Sequence, residues 1–330
     1  MNEPDFEPDI SPMPPVRNVW FLTGPTAAGK TKVGIELARR LDAEIISLDS
    51  MAIYLGMDIG TAKPSAEERA AVPHHLLDVA SPADEYSLSQ YLDAAHAAVD
   101  DIRSRGKEVL FVGGTPLYLK SLLRGAYQGP PADWEFRAQI EKELAVVGLE
   151  ALHERLQVID PLLAAKLHPR DKRRIIRALE VFRLTGQPLS HQQVQFDDAR
   201  PADESNVFVL QWPRELLHQR IAARVDQMFA AGLVDEVKQL VAQYGQLSRT
   251  ATQAVGYREV LQFLGHLPAE KGHPARSLAE CIELVKIRTR QFAKRQETWF
   301  RSLSECTFVP LDVNQSPTQI AEHIAALRNR

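Results

Sequence analysis

Cysteine is scarce in this sequence: only Cys281 and Cys306 occur among 330 residues. Two thiols are too few for a disulfide framework or a cysteine zinc site, so a reducing cytoplasm is the expected compartment. Positive charge is not in excess either. Lys and Arg number 39 against 43 Asp and Glu, a formal net charge of −4. That sum does not announce a nucleic-acid binder, although the placement of the positive charge matters more than its total. No apolar run approaches the roughly 18 residues that a membrane-spanning helix needs, so no membrane partner is expected. The opening stretch "MNEPDFEPDISPMPPVRN" lacks the basic start and apolar core of a secretory signal. Its acidic, Pro-rich composition predicts a flexible tail over 1–17. No internal repeat is found, and nothing favours a dimer over a monomer.

What is present is an alternation of strand and helix signals. "NVWFLTG" (18–24) is a short apolar run closed by glycine, as in a buried strand. Val33, Leu37 and Leu41 then follow helical spacing over 30–41. "AEIISLDS" (43–50) and "EVLFVGGT" (108–115) are further strands, separated by a helix over 88–106 that Gly106 caps. Strand–helix alternation predicts an α/β fold: a P-loop NTPase-like parallel sheet with helices on both faces. Near "QGPPAD" (128–133) the pattern changes to helical periods only, which predicts an all-helical insertion over 129–205. "NVFVLQW" (206–212) returns to the sheet. Helices follow at 214–231, 233–244, 253–264 and about 277–303. The catalytic core is therefore expected at 18–128 and 206–330.

The sharpest local signal is Gly24-Pro25-Thr26-Ala27-Ala28-Gly29-Lys30-Thr31, a full G-x-x-x-x-G-K-[ST] string between a strand and a helix. Its glycines let the backbone wrap a phosphate, its amides and the helix start stabilise the charge, Lys30 adds a cation, and the Thr31 hydroxyl is placed for Mg²⁺. Such a loop usually holds ATP. A hydrolytic P-loop enzyme, however, generally carries an acid at the tip of a neighbouring strand and a group that orients water. "EVLFVGG" ends in glycines and Thr115; the strand-tip acid nearby is Asp49. Two classes stay open at this point, a small-molecule kinase and a transferase with pyrophosphate as leaving group.

The stretch "LDSMAIYLGMDIGTAKPSAEERAAVPHHLLDV" (48–79), with the loop before it, closely resembles the tRNA dimethylallyltransferases, or tRNA isopentenyltransferases. "VGGTPLYLKSLLRG" (112–125), "RRIIRALEVFRLTGQPLS" (173–190), "QAVGYRE" (253–259) and "TRQFAKRQETWFR" (289–301) extend the resemblance over nearly the whole chain. The resemblance implies transfer of the dimethylallyl group of dimethylallyl diphosphate to N6 of adenine-37, in the anticodon loop of tRNA, with loss of diphosphate. The loop would then cradle the donor's diphosphate.

Carried over residue by residue, the resemblance makes Asp49 the general base and Thr115 the hydroxyl that meets the bridging oxygen of the leaving group. Arg224 joins the loop on the diphosphate. A carboxylate suits the first role because an exocyclic amine must shed a proton on attack, and a bidentate guanidinium suits a phosphate. Asp49, Ser50, Met51, Ala52 and Thr115 are implied to border the substrate adenine. Arg137, Arg173, Arg174, Ile175, Ile176 and Arg177 are implied to touch tRNA. So are Gln253, Ala254, Val255, Gly256, Tyr257 and Arg258, and Lys294, Arg295, Gln296, Glu297, Thr298, Trp299, Phe300 and Arg301. Some relatives carry a basic residue where Gln253 stands. His74 and His75 are weaker candidates for the same contact.

Spacing independently marks two basic stripes. Lys286, Arg290, Lys294 and Arg301 fall on one helical face, flanked by Arg288 and Arg295. Arg170, Arg173 and Arg177 oppose an apolar stripe of Ile175, Leu179 and Phe182. A stripe of this kind is ordinarily a solvated face; two in one acidic chain are more suggestive of a polyanion, which the resemblance implies is the anticodon stem–loop of tRNA. Competing readings are a kinase needing ATP, a prenyltransferase acting on free adenine nucleotides, and a non-catalytic RNA-binding module.

Overall fold

The computed structural model describes residues 13–127, 129–192, 200–201, 205–268 and 275–327. Its central strand is β1 (Trp20–Thr23), four residues buried on both sides. Such a strand has no polar alternation because helices cover each face of the sheet. The other strands are β2 (Ala43–Leu48), β3 (His74–His75), β4 (Glu108–Gly113), β5 (Val207–Gln211) and β6 (Cys306–Pro310). They form one parallel sheet in the order β3-β2-β4-β1-β5-β6. The return of 206–212 to the sheet is thus observed, with Phe21 paired to Val207. The edge strands β3 and β6 extend the sheet beyond what the sequence predicts. In this arrangement the C-terminal ends of β2, β4, β1 and β5 lie side by side, where open α/β sheets bind ligands.

The helices before the insertion are α1 (Lys30–Leu41), α2 (Ala66–Ala71), α3 (Leu88–Ser104) and α4 (Pro116–Arg124). The insertion contributes α5 (Trp134–Ile159), α6 (Pro161–Lys166), α7 (Lys172–Thr185) and α8 (Leu189–Gln192). After it come α9 (Arg214–Ala230), α10 (Leu233–Tyr244), α11 (Tyr257–Phe263), α12 (Leu278–Arg301) and α13 (Pro317–Leu327). Val33 and Leu37 of α1 share a buried cluster with Leu22, Leu210 and, from α13, Ile320 and Ile324. Each such large apolar side chain contributes about 1.5–3 kcal/mol on burial. A second cluster joins Ile53, Tyr54 and Met57 to Leu233, Val237 and Tyr257. The helix expected at 253–264 is divided: a 3₁₀ turn covers Ala251–Gln253, and α11 begins at Tyr257. The helix of the C-terminal basic stripe is followed by β6 and α13.

By contact density the described residues of 1–15 and 121–198 form one unit, and those of Val16–Lys120 and 199–330 the other. The helical unit therefore begins before 129. Its core packs Phe136, Ile140, Leu152 and Leu156 of α5 against Ile175 and Leu179 of α7. The apolar stripe predicted for α7 is buried at Ile175 and Leu179 and half-buried at Phe182. α5 is interrupted at Gly148, whose φ of 81° is not helical.

The expected tail needs revision at its end. Met13 pairs with Ala126, N–H to carbonyl in both directions at 2.9 and 3.1 Å, and Val16 is buried. Composition alone does not register these few contacts. Residues 1–12 of the expected tail, and Gln128, 193–199 and 202–204 around the expected insertion, lie outside the described residues.

Candidate active site

The loop predicted to cradle a phosphate connects β1 to α1 at the C-terminal edge of the sheet. Gly24 has a φ of 143°, and a β-carbon there would lie 2.8 Å from the Leu210 carbonyl oxygen of β5. Only glycine lets the chain leave the strand so close to its neighbour. Lys30 folds across the loop, its Nζ donating to Gly24 O at 3.0 Å and Pro25 O at 2.9 Å. Burial pulls its pKa down to about 7; neighbouring Arg224 pulls the same way and the Asp49 carboxylate opposes both. A cation held at this cost is poised for a ligand that brings negative charge.

Side chains from distant elements shape the loop. Trp212, just after β5, donates its Nε1 to Ala28 O at 2.9 Å. Arg220 of α9 donates its Nε to Ala27 O, also at 2.9 Å. Two carbonyls of the loop are thus held from outside it. Gln296 of α12 accepts from Thr26 N at 2.9 Å and donates to Gly114 O at 2.6 Å. The Thr26 amide is therefore engaged within the protein, while the residue still lines the cavity.

Asp49 and Thr115 meet because β2 and β4 are neighbours in register, Leu48 opposite Gly113. A β-carbon on Gly113 would lie 2.1 Å from Leu48 O, so glycine is what lets these strand ends close up. Asp49 Oδ1 accepts the amides of Met51 at 2.8 Å and Ala52 at 3.2 Å. Its other oxygen has no hydrogen-bond donor among the described residues. Thr115 Oγ1 accepts from Ser50 N at 3.1 Å. Asp49, Thr115, Lys30, Thr31 and Arg224 all line one cavity of about 670 Å³. Its wall also carries Val112, Val225, Met228 and Phe292, an apolar surface suited to a hydrocarbon group.

Arg224 is half-buried on α9 and donates its Nη2 to Thr61 O at 3.3 Å. Burial lowers its pKa and Asp49 opposes the shift. The loop bearing Thr61 is itself tied down. Glu236 of α10 accepts from Asp58 N at 3.1 Å, Ile59 N at 2.8 Å and Gly60 N at 3.4 Å. Tyr257 donates its hydroxyl to Glu236 and accepts from Gly60 N at 3.2 Å.

For Mg²⁺ the available protein donors are oxygens, the Thr31 hydroxyl and the Asp49 carboxylate. Among the described residues no cluster of three His, Cys, Asp or Glu forms a dedicated metal cage. That chemistry fits Mg²⁺, which binds through few protein oxygens and completes its shell with phosphate and water.

Of the residues implied for tRNA contact, Arg173, Arg174, Lys294, Arg295, Thr298 and Arg301 are exposed. Glu297, Trp299 and Arg258 are half-buried, and Gln253 and Val255 line the cavity. Several others turn inward. Ile175 and Ile176 belong to the helical core, Phe300 and Gln296 are buried, and Ala254, Gly256 and Tyr257 are buried where α11 packs. Helix periodicity forces this, since an unbroken string on a helix shows only some members to solvent. Arg137 and Arg177 are engaged inside the helical unit. Both bind the fully buried Glu180, Arg137 at 2.7 and 2.8 Å and Arg177 at 2.5 Å. Lys286 pairs with Asp226 and Glu283, which removes it from the C-terminal stripe. His74 and His75 form β3, where His75 bonds Glu44 at 2.6 Å and His74 bonds Val72 O at 2.7 Å. Arg220, Trp212, Gln296 in its buried role, and Glu236 escape sequence reasoning, because each acts on a backbone far away in the chain.

A glycine-built loop between a central parallel strand and a helix, with a lysine across it, places the chain among α/β proteins with a P-loop-like arrangement. The sequence profile described as IPP transferase matches residues 52–303. The tRNA dimethylallyltransferase of Rhodopirellula baltica is 50% identical over 296 residues, covering 87% of this chain and 86% of that protein. That of Geobacter metallireducens is 46% identical over 293 residues, covering 88% and 91%. Among solved structures, the tRNA isopentenylpyrophosphate transferase of Bacillus halodurans aligns with a TM-score of 0.65 at 37% identity, over 95% of this chain and 97% of that one. A eukaryotic dimethylallyltransferase acting on tRNA aligns with a TM-score of 0.74 at 28% identity, over 94% and 78%. The chain belongs to the IPP transferase family.

Proposed function

We propose that this protein is a tRNA dimethylallyltransferase: it transfers the dimethylallyl group of dimethylallyl diphosphate to N6 of adenine-37 in the anticodon loop of tRNA. The observation that carries this is the pairing of a diphosphate-sized cradle with an open carboxylate. Lys30, Arg224 and Asp49, one of whose oxygens lacks a donor among the described residues, line the same cavity, which also has an apolar wall. The Asp49 carboxylate interacts with both cations. β4 ends at Gly113 and is followed by Gly114 and Thr115, so it lacks the acidic tip of a hydrolytic P-loop enzyme. Membership of the IPP transferase family supports the same reaction class.

In the reaction, the bond between the allylic carbon and the diphosphate oxygen breaks and the bond from that carbon to N6 forms. The electron pair leaves with diphosphate, and the N6 proton passes to Asp49. Loop amides, Lys30 and Arg224 stabilise charge as it develops on the departing oxygens, which is where fixed donors act most strongly. Thr115 donates its hydroxyl to the bridging oxygen. Two backbone amides fix the orientation of the Asp49 carboxylate. Thr31 would hold Mg²⁺ on the diphosphate, where it supplies further charge neutralisation. The substrate adenine must leave its stack to reach Asp49, a modest cost in a single-stranded loop. Exposed Arg173 and Arg174 of the helical unit, and Lys294, Arg295 and Arg301 of α12, are assigned to tRNA phosphates. We further assign the protein to the cytoplasm as a monomer. The free, buried thiols Cys281 and Cys306 accord with a reducing compartment, and no helix among the described residues is long and apolar enough to cross a membrane.

The test is incubation of the purified protein with Mg²⁺, unmodified tRNA and dimethylallyl diphosphate, read by nucleoside mass spectrometry. Parallel reactions replace tRNA with AMP, or the prenyl donor with ATP. Adenosine heavier by one dimethylallyl group in the tRNA reaction alone is the expected result. Product with AMP alone would move the protein to the free-nucleotide class. Consumption of ATP without prenylation would mark a kinase.

A further inference from the structure

Arg220 lies one helical turn before Arg224 on α9, and both line the same cavity. Residues four apart share a helix face, so one wall of the site presents two guanidinium groups. Two supports fix the position of Arg220. Its Nε donates to Ala27 O at 2.9 Å, and its guanidinium carbon lies 4.4 Å from the centroid of the Trp212 ring. Trp212 is in turn fixed by its own bond to Ala28 O. The pair therefore grips two successive carbonyls of the phosphate loop.

This arrangement uses only one donor of Arg220. Among the described residues its Nη atoms have no hydrogen-bond acceptor, and no carboxylate forms an ion pair with it. The side chain is exposed rather than sealed. Its Nη2 lies beside the loop, since a β-carbon built on Gly29 would be 3.3 Å away. A guanidinium stacked on a ring, anchored through Nε and open at its other edge, is preorganised for bidentate contact with a phosphate. Arg220, Arg224 and Lys30 all line this cavity, and a multiply charged anion would satisfy such a set of cations together.

We infer that Arg220 is a third cation of the diphosphate site, donating Nη–H bonds to the phosphate seated in the loop. The identity of that diphosphate as the prenyl donor's rests on the function proposed above. A lysine cannot replace Arg220 fully, because it lacks both the second donor and the flat face that stacks on Trp212.

The experiment is titration calorimetry of the full-length protein with inorganic pyrophosphate and Mg²⁺, on the parent and on Arg220→Ala, Arg220→Gln, Arg220→Lys and Trp212→Phe. Loss of a charge-assisted bond to phosphate predicts weakening of about tenfold or more for both Ala and Gln, with Lys between them and the parent. Trp212→Phe keeps a ring but loses the indole donor, and is expected to cost about two- to fivefold. Thermal midpoints and tRNA affinity of the three Arg220 variants should stay at parental values. Parental affinity in Arg220→Gln would show that only loop shape is served, and would overturn the contact; if Arg220→Ala fails to fold, Gln and Lys still decide. Failure of the parent to bind pyrophosphate would overturn the inference and the proposed function together. A parent that binds pyrophosphate but makes no prenylated adenosine would overturn the proposed function alone.

Discussion

The two units of this protein use arginine in opposite ways. In the helical unit, Arg137 and Arg177 converge on Glu180, a carboxylate with no solvent exposure, which also accepts the Asp133 amide at 2.8 Å. In the sheet unit, Arg220 and Arg224 converge on a cavity and bond only to backbone carbonyls among the described residues. The four look alike in sequence, each a basic residue on a helix. What separates them is whether the fold brings a carboxylate within hydrogen-bond reach of the guanidinium. Where it does, the arginine holds structure; where it does not, positive charge remains for a ligand.

Asp49 gives the largest expected break in this picture. Asp49→Ala should lower the single-turnover rate of prenyl transfer by roughly 10²–10⁴-fold while tRNA binding stays largely intact. An unchanged rate would remove the general-base role and leave the open carboxylate without a function.

Glu180→Ala comes next. It strands two arginines that are only partly exposed, and breaking such a pair is expected to cost about 2–3 kcal/mol of stability in the helical unit, below the range for fully buried pairs. Of the tryptophans at 20, 134, 212 and 299, Trp134 alone lies in that unit, so its fluorescence in urea reports the loss. An unchanged midpoint would mean the cluster is not structural.

A smaller effect sharpens the contrast on the RNA side. Arg173→Ala or Arg174→Ala should weaken tRNA binding about three- to tenfold and reduce the salt slope by about one. Arg137→Ala should change stability more than salt slope. Equal salt-slope losses from Arg137 and Arg173 would erase the distinction between paired and open arginines.

The gentlest probe is pH. Burial raises the pKa of Glu180, but hydrogen bonds from Arg137 and Arg177 outweigh it, so the folded value lies below the ordinary one. A depressed carboxyl contributes stability that is fully present above its unfolded pKa and is lost as pH falls through the folded value. The helical unit should therefore weaken on acidification below the usual carboxylate range, and Glu180→Gln should flatten that dependence. The same slope in the variant would assign it to other groups.

Local features were the legible ones. The phosphate loop could be found because its glycines, Lys30 and Thr31 are fixed by one short segment, and Asp49 because a polar residue at the end of an apolar strand points out of the sheet. The helical insertion was visible from periodicity, although its start was not. β3 has only two residues and β6 is a short run ending in proline, so neither carries a period to detect. The supports of the loop were hidden for a different reason. Gln296 sits in a string that resembles an RNA-contacting segment, yet one helix face turns it onto Thr26 and Gly114. Tyr257 lies in another such string and is consumed by Glu236. These roles depend on which helix packs over which loop, and no spacing in the chain encodes that.

The most direct test of the central claim is a single-turnover reaction of the protein with tRNA and dimethylallyl diphosphate in which released pyrophosphate and prenylated adenosine are followed together. The account predicts that the two appear at the same rate and in equal amounts, that ATP is not required, and that nothing is released without tRNA. Pyrophosphate released without prenylated adenosine, or phosphate released from ATP in the absence of tRNA, would contradict it.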